Sequence, residues 1–168
     1  MKLILKTILL ISASVASLEA MGQKFTAVYT LATSTPNFSG KVFLYLSKDA
    51  KCPKDDMVGV HSFPCFSIDV KDVKPGQKVV FDDKAVSYPT VLSDIERGTY
   101  YAQVVWDKNL GGRSIAESPG NLFNNSIVVK ITKDRAQSFD IVCSEVVKGQ
   151  TFTETQFVKE LKAPSALL

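Results

Sequence analysis

The stretch from Ile95 to Asn109 constrains the fold of this chain more than any other. From Tyr100 its side chains alternate, and four of the apolar ones share one face: Tyr100, Ala102, Val104 and Trp106. This period of two is typical of a β-strand with one fully buried face. Turn-forming residues from Asp107 to Gly112 end the strand. We therefore predict a central strand here, with Trp106 in the core.

The entry to this strand carries a second pattern. Ile95, Gly98 and Tyr100 have the spacing of a tyrosine corner. In such a corner the phenol of a strand residue bonds back to the preceding backbone and holds a crossover between two sheets. These three residues are therefore predicted to be structural.

The rest of the chain supports an all-β fold. Short alternating segments separated by Gly, Pro, Asn and Ser predict further strands at 25–32, 41–47, 66–70, 78–82, 126–132 and 137–147. No segment after the N-terminus has a convincing helical period. About seven strands without βαβ alternation predict an antiparallel immunoglobulin-like β-sandwich over residues 23–150, followed by a tail or linker at 151–168.

Residues 1–22 resemble a secretory signal peptide. Lys2 and Lys6 precede an apolar run from Thr7 to Ala16, and small residues around Ala20 and Gly22 offer cleavage sites. The run is too short to span a bilayer. The sequence therefore predicts a secreted or periplasmic protein that has no membrane association after cleavage.

The charge balance argues against nucleic-acid binding. The formal charge of +3 falls to +2 when residues 1–22, with two lysines and one glutamate, are removed. The remaining charges are interspersed in sign, as on an ordinary solvated surface, whereas a nucleic-acid interface needs a basic patch.

Three cysteines remain in the mature chain. Cys52 and Cys65 flank one loop, each beside a proline, and export permits a disulfide between them. The sequence leaves open whether that bridge forms. Cys143 alternates with Phe139 and Ile141, which indicates a buried thiol.

Catalytic patterns are weak. Gly112-Arg113-Ser114-Ile115-Ala116 approximates a nucleophile elbow, but Pro119-Gly120 blocks the helix that must follow. The single histidine, His61, precedes Ser114 instead of following it. The adjacent pairs Asp55-Asp56 and Asp82-Asp83 point their carboxylates apart, so neither forms an acid–base couple. We expect Ser114 to be an ordinary loop serine and the chain to lack catalytic residues.

Metal patterns are equally incomplete. Asp107, Asn109 and Gly112 match the first positions of a calcium loop, but Gly111 supplies no oxygen and Ser118 is not a bidentate carboxylate. Zinc needs more ligands at closer spacing than one histidine and these cysteines offer. No metal or cofactor is expected.

Three aromatic residues, Phe43, Tyr45 and Tyr101, lie opposite the core positions of their strands. They predict an aromatic surface that stacks on a sugar or docks a partner domain. The alternative is that long loops cover this face. The sequence does not decide between the two.

From Arg97 to Gln103 the chain resembles the N-terminal β-sandwich domain of bacterial secreted esterases, which precedes an α/β-hydrolase domain. The resemblance continues through the motifs Ser39–Ser47, Pro119–Leu122, Phe157–Glu160 and Pro164–Leu168. It implies an exported accessory domain. Because the family's catalytic residues lie in the hydrolase domain beyond this point, no catalytic residue is carried over to this chain.

The resemblance implies that the domain docks against, or positions substrate for, a hydrolase domain or subunit. Docking would use the aromatic surface and the apolar tail, which holds Phe152, Phe157, Leu161, Leu167 and Leu168. The alternative is a stand-alone periplasmic module that binds a carbohydrate or another small ligand through Tyr101, Tyr45 and the loop from Lys108 to Asn125.

Overall fold

The computed structural model describes residues 22–30, 36–56, 63–108, 114–132, 136–149 and 153–159, and residue 161. Outside the described residues lie the predicted signal peptide except Gly22, and also His61. Two of the three calcium-like positions, Asn109 and Gly112, lie outside them as well. Among the described residues there is no helix long and apolar enough to cross a membrane.

The described chain is built almost entirely from strands. They are β1 Lys24–Tyr29, β2 Phe38–Ser47, β3 Cys65–Val73, β4 Lys78–Phe81, β5 Val86–Tyr88, β6 Gly98–Asp107, β7 Leu122–Phe123, β8 Ile127–Ile131, β9 Ser138–Cys143 and β10 Glu145–Val146. One short helix, α1 Pro53–Asp56, follows β2, and a single 3₁₀ turn, Leu92–Asp94, precedes β6.

Two sheets form the sandwich. The small sheet has the order β4-β1-β9, and the large sheet has the order β10-β7-β6-β2-β3-β5, with β8 also paired to β6. All pairs are antiparallel except β1 with β9, which run parallel. The strand β6 is central in the large sheet, as predicted, because it pairs with β2 on one side and with β7 and β8 on the other.

The core lies between the two sheets. The inner face of β6, from Tyr100 to Trp106, is fully buried, as the alternation predicts. The Trp106 ring packs 5.1 Å from the Tyr29 ring of the small sheet and 5.1 Å from the Phe38 ring of β2. These aromatic contacts join the two sheets at one end of the sandwich.

The tyrosine corner is present. The Tyr100 hydroxyl donates a hydrogen bond of 3.0 Å to the backbone carbonyl of Glu96. Ile95 is buried beside it, and Gly98 is the first residue of β6. The predicted structural roles of Ile95, Gly98 and Tyr100 agree with this geometry, since all three form the entry to the central strand.

The all-β sandwich is confirmed, with differences in detail. We predicted about seven strands, and ten occur among the described residues. The additional short strands β5 and β7 lie in stretches predicted to be irregular, and the last predicted strand is divided into β9 and β10. Two- and three-residue strands carry too few alternations to show a period. The immunoglobulin-like topology stays a prediction.

The cysteines are free thiols in this structure. The Cys52–Cys65 bridge that the sequence left open is not formed in this structure, where Cys52 is exposed before α1 and Cys65 lies at the start of β3 between Tyr45 and Tyr88. Cys143 is buried, as predicted. Burial raises the pKa values of the Cys65 and Cys143 thiols to about 12 each.

Candidate functional site

The outer face of the large sheet carries the residues predicted to form an aromatic surface. Strand register places Phe43 opposite Ser67 of β3 and Val105 of β6. Tyr45 lies in the next row, between Cys65 and Gln103. The sequence alternation therefore assigned these side chains to the correct face.

The middle of this face is covered, however. The backbone N–H of Lys54, in α1, donates a 2.9 Å hydrogen bond to the side-chain oxygen of Gln103. The Lys54 ammonium lies 4.8 Å from the centre of the Phe123 ring. Gln103 and Val105 are consequently buried, although they point away from the sandwich core.

The prediction that Tyr45 belongs to an exposed surface is wrong. Its side chain is 3% exposed, stacks on Phe43 at 6.0 Å and meets the edge of the Phe63 ring at 6.4 Å. Burial, with smaller contributions from Cys65 and Asp107, raises the pKa of its hydroxyl. Phe63, two residues before β3, packs on this position, and strand alternation alone does not reveal that contact.

Phe43 and Tyr101 remain half-exposed, but they lie in different parts of the face. Phe43 pairs across with Val105, whereas Tyr101 pairs with Ser47 on one side and Val128 on the other. With Tyr45 buried, the three predicted residues do not form one continuous stacking platform.

Two residues that the sequence analysis missed extend the exposed part of this face. Val86 and Tyr88, on the edge strand β5, are 71% and 62% exposed. Their partners on β3 are Ser67 and Cys65, so Val86 shares a row with Phe43. We call Phe43, Val86 and Tyr88 the edge surface. The alternation of Val86, Ser87 and Tyr88 was the available signal, but it spans only three residues.

A groove of about 620 Å³ lies beside Phe43. Its lining includes the charged residues Lys41, Asp69, Lys71 and Asp107 as well as the apolar residues Val70 and Ile115, and Lys41 and Asp69 are joined by an ion pair of 3.0 Å. One aromatic side chain beside several charged and polar groups is a suitable arrangement for a small polar ligand.

Asn121 fixes the loop at the end of this groove. Its side-chain oxygen accepts from the backbone N–H of Lys108 at 3.0 Å, and its Nδ2 donates to Asp107 at 3.0 Å and to the Ile115 carbonyl at 2.9 Å. Because Asn121 is buried, these bonds fix Asp107, Lys108 and Ile115 relative to one another. The Asp107 side chain is thereby held at the groove.

Ser114 lies in a turn, as expected of a loop serine. Its backbone carbonyl accepts from the Ser118 hydroxyl at 2.8 Å and from the Glu117 N–H at 3.2 Å. The turn at 115–117 is not a helix. Among the described residues there is no group of three or more His, Cys, Asp and Glu side chains placed to hold a metal ion.

Comparisons with known proteins do not assign the chain to a family. No family model matches the chain. A comparison with curated proteins finds no match, and a comparison with solved structures finds none. The resemblance to the esterase-associated β-sandwich domain therefore stays a prediction.

Proposed function

We propose that this chain is a non-catalytic, exported accessory domain that docks against a hydrolase domain or subunit. The observation that carries the proposal is the edge surface, where Val86 and Tyr88 expose large side chains on β5, one strand beyond the β3 partner of Phe43. Natural sheet edges are usually protected by charges, bulges or covering loops. An apolar edge that keeps such side chains in solvent favours an interaction surface.

The C-terminal tail supports the same function. Phe157 and Leu161 are 85% and 92% exposed, so the described part of the tail does not bury them against the sandwich. Two large apolar side chains beyond the last strand provide a second contact for a partner that follows or accompanies this domain.

The test compares charged variants of the full exported chain purified from its own cells. In the edge variant Val86 and Tyr88 are both replaced by Lys, and in the control variant Val80 and Val142 of the small sheet, also exposed, are replaced by Lys. Native mass spectrometry measures the mass of each assembly. We expect the unmodified chain and the control to retain a hydrolase-sized partner or to self-associate, and the edge variant to be monomeric.

A chain that stays monomeric at every concentration and carries no partner would contradict this function. Retention of the partner by the edge variant would instead mean that the partner contacts another surface. A variant in which Phe157 and Leu161 are both replaced by Ser then tests the tail. Thermal melting of each variant separates loss of binding from loss of folding.

A second function, binding of a carbohydrate or another small polar ligand, is favoured by the groove beside Phe43. An aromatic ring stacks on a sugar face while the surrounding Lys41, Asp69 and Asp107 are able to bond its hydroxyl groups. On a glycan panel, Phe43→Ala should abolish binding and Tyr101→Ala should leave it unchanged, because Tyr101 does not line the groove. A panel without any bound glycan would exclude carbohydrate binding.

A further inference from the structure

Two neighbouring asparagines, Asn124 and Asn125, lie in the connection between β7 and β8, and their side chains are held very differently. The Asn124 side chain is buried, and both its oxygen and its nitrogen are hydrogen-bonded to the backbone. Asn125 is exposed, and among the described residues its side-chain amide makes no hydrogen bond. The Asn125 amide is therefore free to change its rotamer, whereas the Asn124 amide is not.

The other asparagines of the described chain are also fixed. The Asn37 amide donates a hydrogen bond of 2.7 Å to a carboxylate oxygen of Asp72. Asn121 is buried, and its amide nitrogen donates two hydrogen bonds. Within the residues that the structure describes, Asn125 is therefore the asparagine that is both exposed and unbonded.

The residue that follows Asn125 matters as much as the exposure of its amide. Ser126 has a small side chain, and its backbone N–H makes no hydrogen bond in the part of the chain that the structure describes. The connection at 124–126 is neither helix nor strand, so no regular ladder holds its backbone. By contrast, the residues that follow the two fixed asparagines outside this connection are the bulkier Phe38 and Leu122, each the first residue of a strand.

We propose that Asn125 is a site of spontaneous deamidation through a cyclic imide. The Ser126 backbone nitrogen attacks the side-chain carbonyl carbon of Asn125, and a new N–C bond closes the imide ring. The amide nitrogen leaves as ammonia and takes the proton of the Ser126 N–H. Water then opens the ring at one of its two carbonyls, which gives aspartate or isoaspartate. In both products a neutral amide has been replaced by a carboxylate.

The isoaspartate product has a structural consequence at Asn124. Its peptide link to Ser126 runs through the former side chain, and the former backbone carbonyl of Asn125 becomes a free carboxylate. In the unmodified chain that carbonyl accepts from the Asn124 Nδ2 at 2.7 Å, and the Asn124 side-chain oxygen accepts from the Val104 N–H at 2.6 Å. Isoaspartate formation should therefore loosen the side chain that bonds the Val104 N–H.

The test is ageing of the folded full chain at mildly alkaline pH, followed by peptide mapping with liquid chromatography and mass spectrometry. The asparagine, imide, aspartate and isoaspartate forms of each peptide are separated and quantified. We expect Asn125 to convert first, while Asn37, Asn121 and Asn124 stay intact for as long as the chain is folded. In denaturant Asn124 should convert as well, because its hydrogen bonds are lost on unfolding.

Two variants test the mechanism. Asn125→Gln should abolish conversion at this position, because the longer side chain closes a less favourable ring. Ser126→Thr keeps the hydroxyl and adds a branch beside the attacking nitrogen, so it should slow conversion several-fold. Thermal melting confirms that each variant is folded before its rate is compared with that of the parent chain.

Hydrogen exchange at Val104 tests the structural consequence. Exchange should be faster in the purified isoaspartate form than in the unmodified chain. It should stay slow in Asn125→Asp, which carries the same new charge on an unchanged backbone. Unchanged exchange in the isoaspartate form would show that Asn124 does not depend on the Asn125 carbonyl.

Three results would overturn the deamidation site. They are no conversion of Asn125 on prolonged ageing, earlier conversion of another described asparagine in the folded chain, and an unchanged rate in Ser126→Thr. Failure here would leave docking at the edge surface unaffected, since that function is measured by assembly mass.

Discussion

The two faces of β6 differ in what buries them. The inner face is buried by a second sheet, through side chains such as Trp106 that pack on Tyr29. The outer face is buried by a four-residue helix and by polar side chains, with Gln103 and Val105 beneath them. A buried face therefore need not be a core face. Burial of the inner face follows from strand alternation, whereas burial of the outer face depends on segments from elsewhere in the chain.

Asn124 lies at a gap in the hydrogen-bond ladder of β6, and its backbone carbonyl accepts a hydrogen bond from the covered side chain of Gln103. Strand β6 pairs with β8 up to Ala102 and with β7 from Val105, so neither neighbour serves the residues between them. There the Asn124 side chain accepts from the Val104 N–H at 2.6 Å and donates to the Ala102 carbonyl at 3.4 Å. One buried side chain thus replaces a missing piece of the strand ladder.

The largest loss of stability should come from a substitution on the inner face of β6. Trp106→Ala removes the ring that joins Tyr29 and Phe38, and large-to-small core changes of this kind cost about 3–5 kcal/mol. Denaturant unfolding should show this loss of stability. Trp106→Phe, which retains an aromatic ring, should cost less. Equal, small losses for both variants would mean that the inner contact contributes little.

The second largest loss of stability should come from the hydrogen-bond ladder of β6. Asn124→Ala leaves the Val104 N–H without its partner in a buried position, which should cost about 1–3 kcal/mol. Hydrogen exchange should rise selectively at Val104. Asn124→Asp keeps the acceptor for the Val104 N–H, so exchange at Val104 should stay slow in it, although its buried carboxylate faces the Ala102 and Asn125 carbonyls and should lower the overall stability. Unchanged exchange at Val104 in the alanine variant would show that the side chain does not complete the ladder.

A substitution at the tyrosine corner should cause a smaller loss of stability. Tyr100→Phe removes the hydrogen bond to the Glu96 carbonyl and the contact of the hydroxyl with Lys48, and it keeps the buried ring, for an expected loss of about 1 kcal/mol. Thermal unfolding should detect it. Tyr101→Phe, on the half-exposed side of the same strand, is the control and should be neutral. An equally large loss of stability in the control would mean that removing a tyrosine hydroxyl from this strand destabilises the chain whether or not it belongs to the corner.

The two buried thiols allow a direct comparison of the faces, since Cys65 is on the outer face and Cys143 is on the inner one. Both have their pKa raised to about 12 by burial. Their neutral forms therefore contribute stability that is complete below the unfolded pKa of about 8.5 and is lost as pH rises towards 12. Unfolding measured across this range should show a falling stability, and Cys65→Ala and Cys143→Ala should each reduce the slope.

Thiol labelling tests the same comparison near neutral pH. Cys52 should react first because it is exposed, while Cys65 and Cys143 should react only after unfolding. Three reactive thiols in denaturant would agree with the free cysteines of this structure. One reactive thiol, mapped to Cys143, would show that Cys52 and Cys65 are bridged. Fast native labelling of Cys65 would mean that the outer face is less covered than the inner one.

Much of the fold was predictable because it depends on local patterns. The alternation from Tyr100 to Trp106 identified the central strand and its inner face, and the spacing of Ile95, Gly98 and Tyr100 identified the corner. Both patterns follow from the geometry of one strand and its immediate neighbours in sequence.

The sequence alone determined that this chain is an all-β sandwich, which of its strands is central and which side of that strand packs in the core. A period of two specifies the two faces of a strand, and apolar side chains must leave water. Only the tertiary structure decided that Tyr45 is buried, that Val86 and Tyr88 are exposed and that Asn124 completes the ladder of β6. Those outcomes depend on where distant loops come to lie, and long-range placement leaves no period in the sequence.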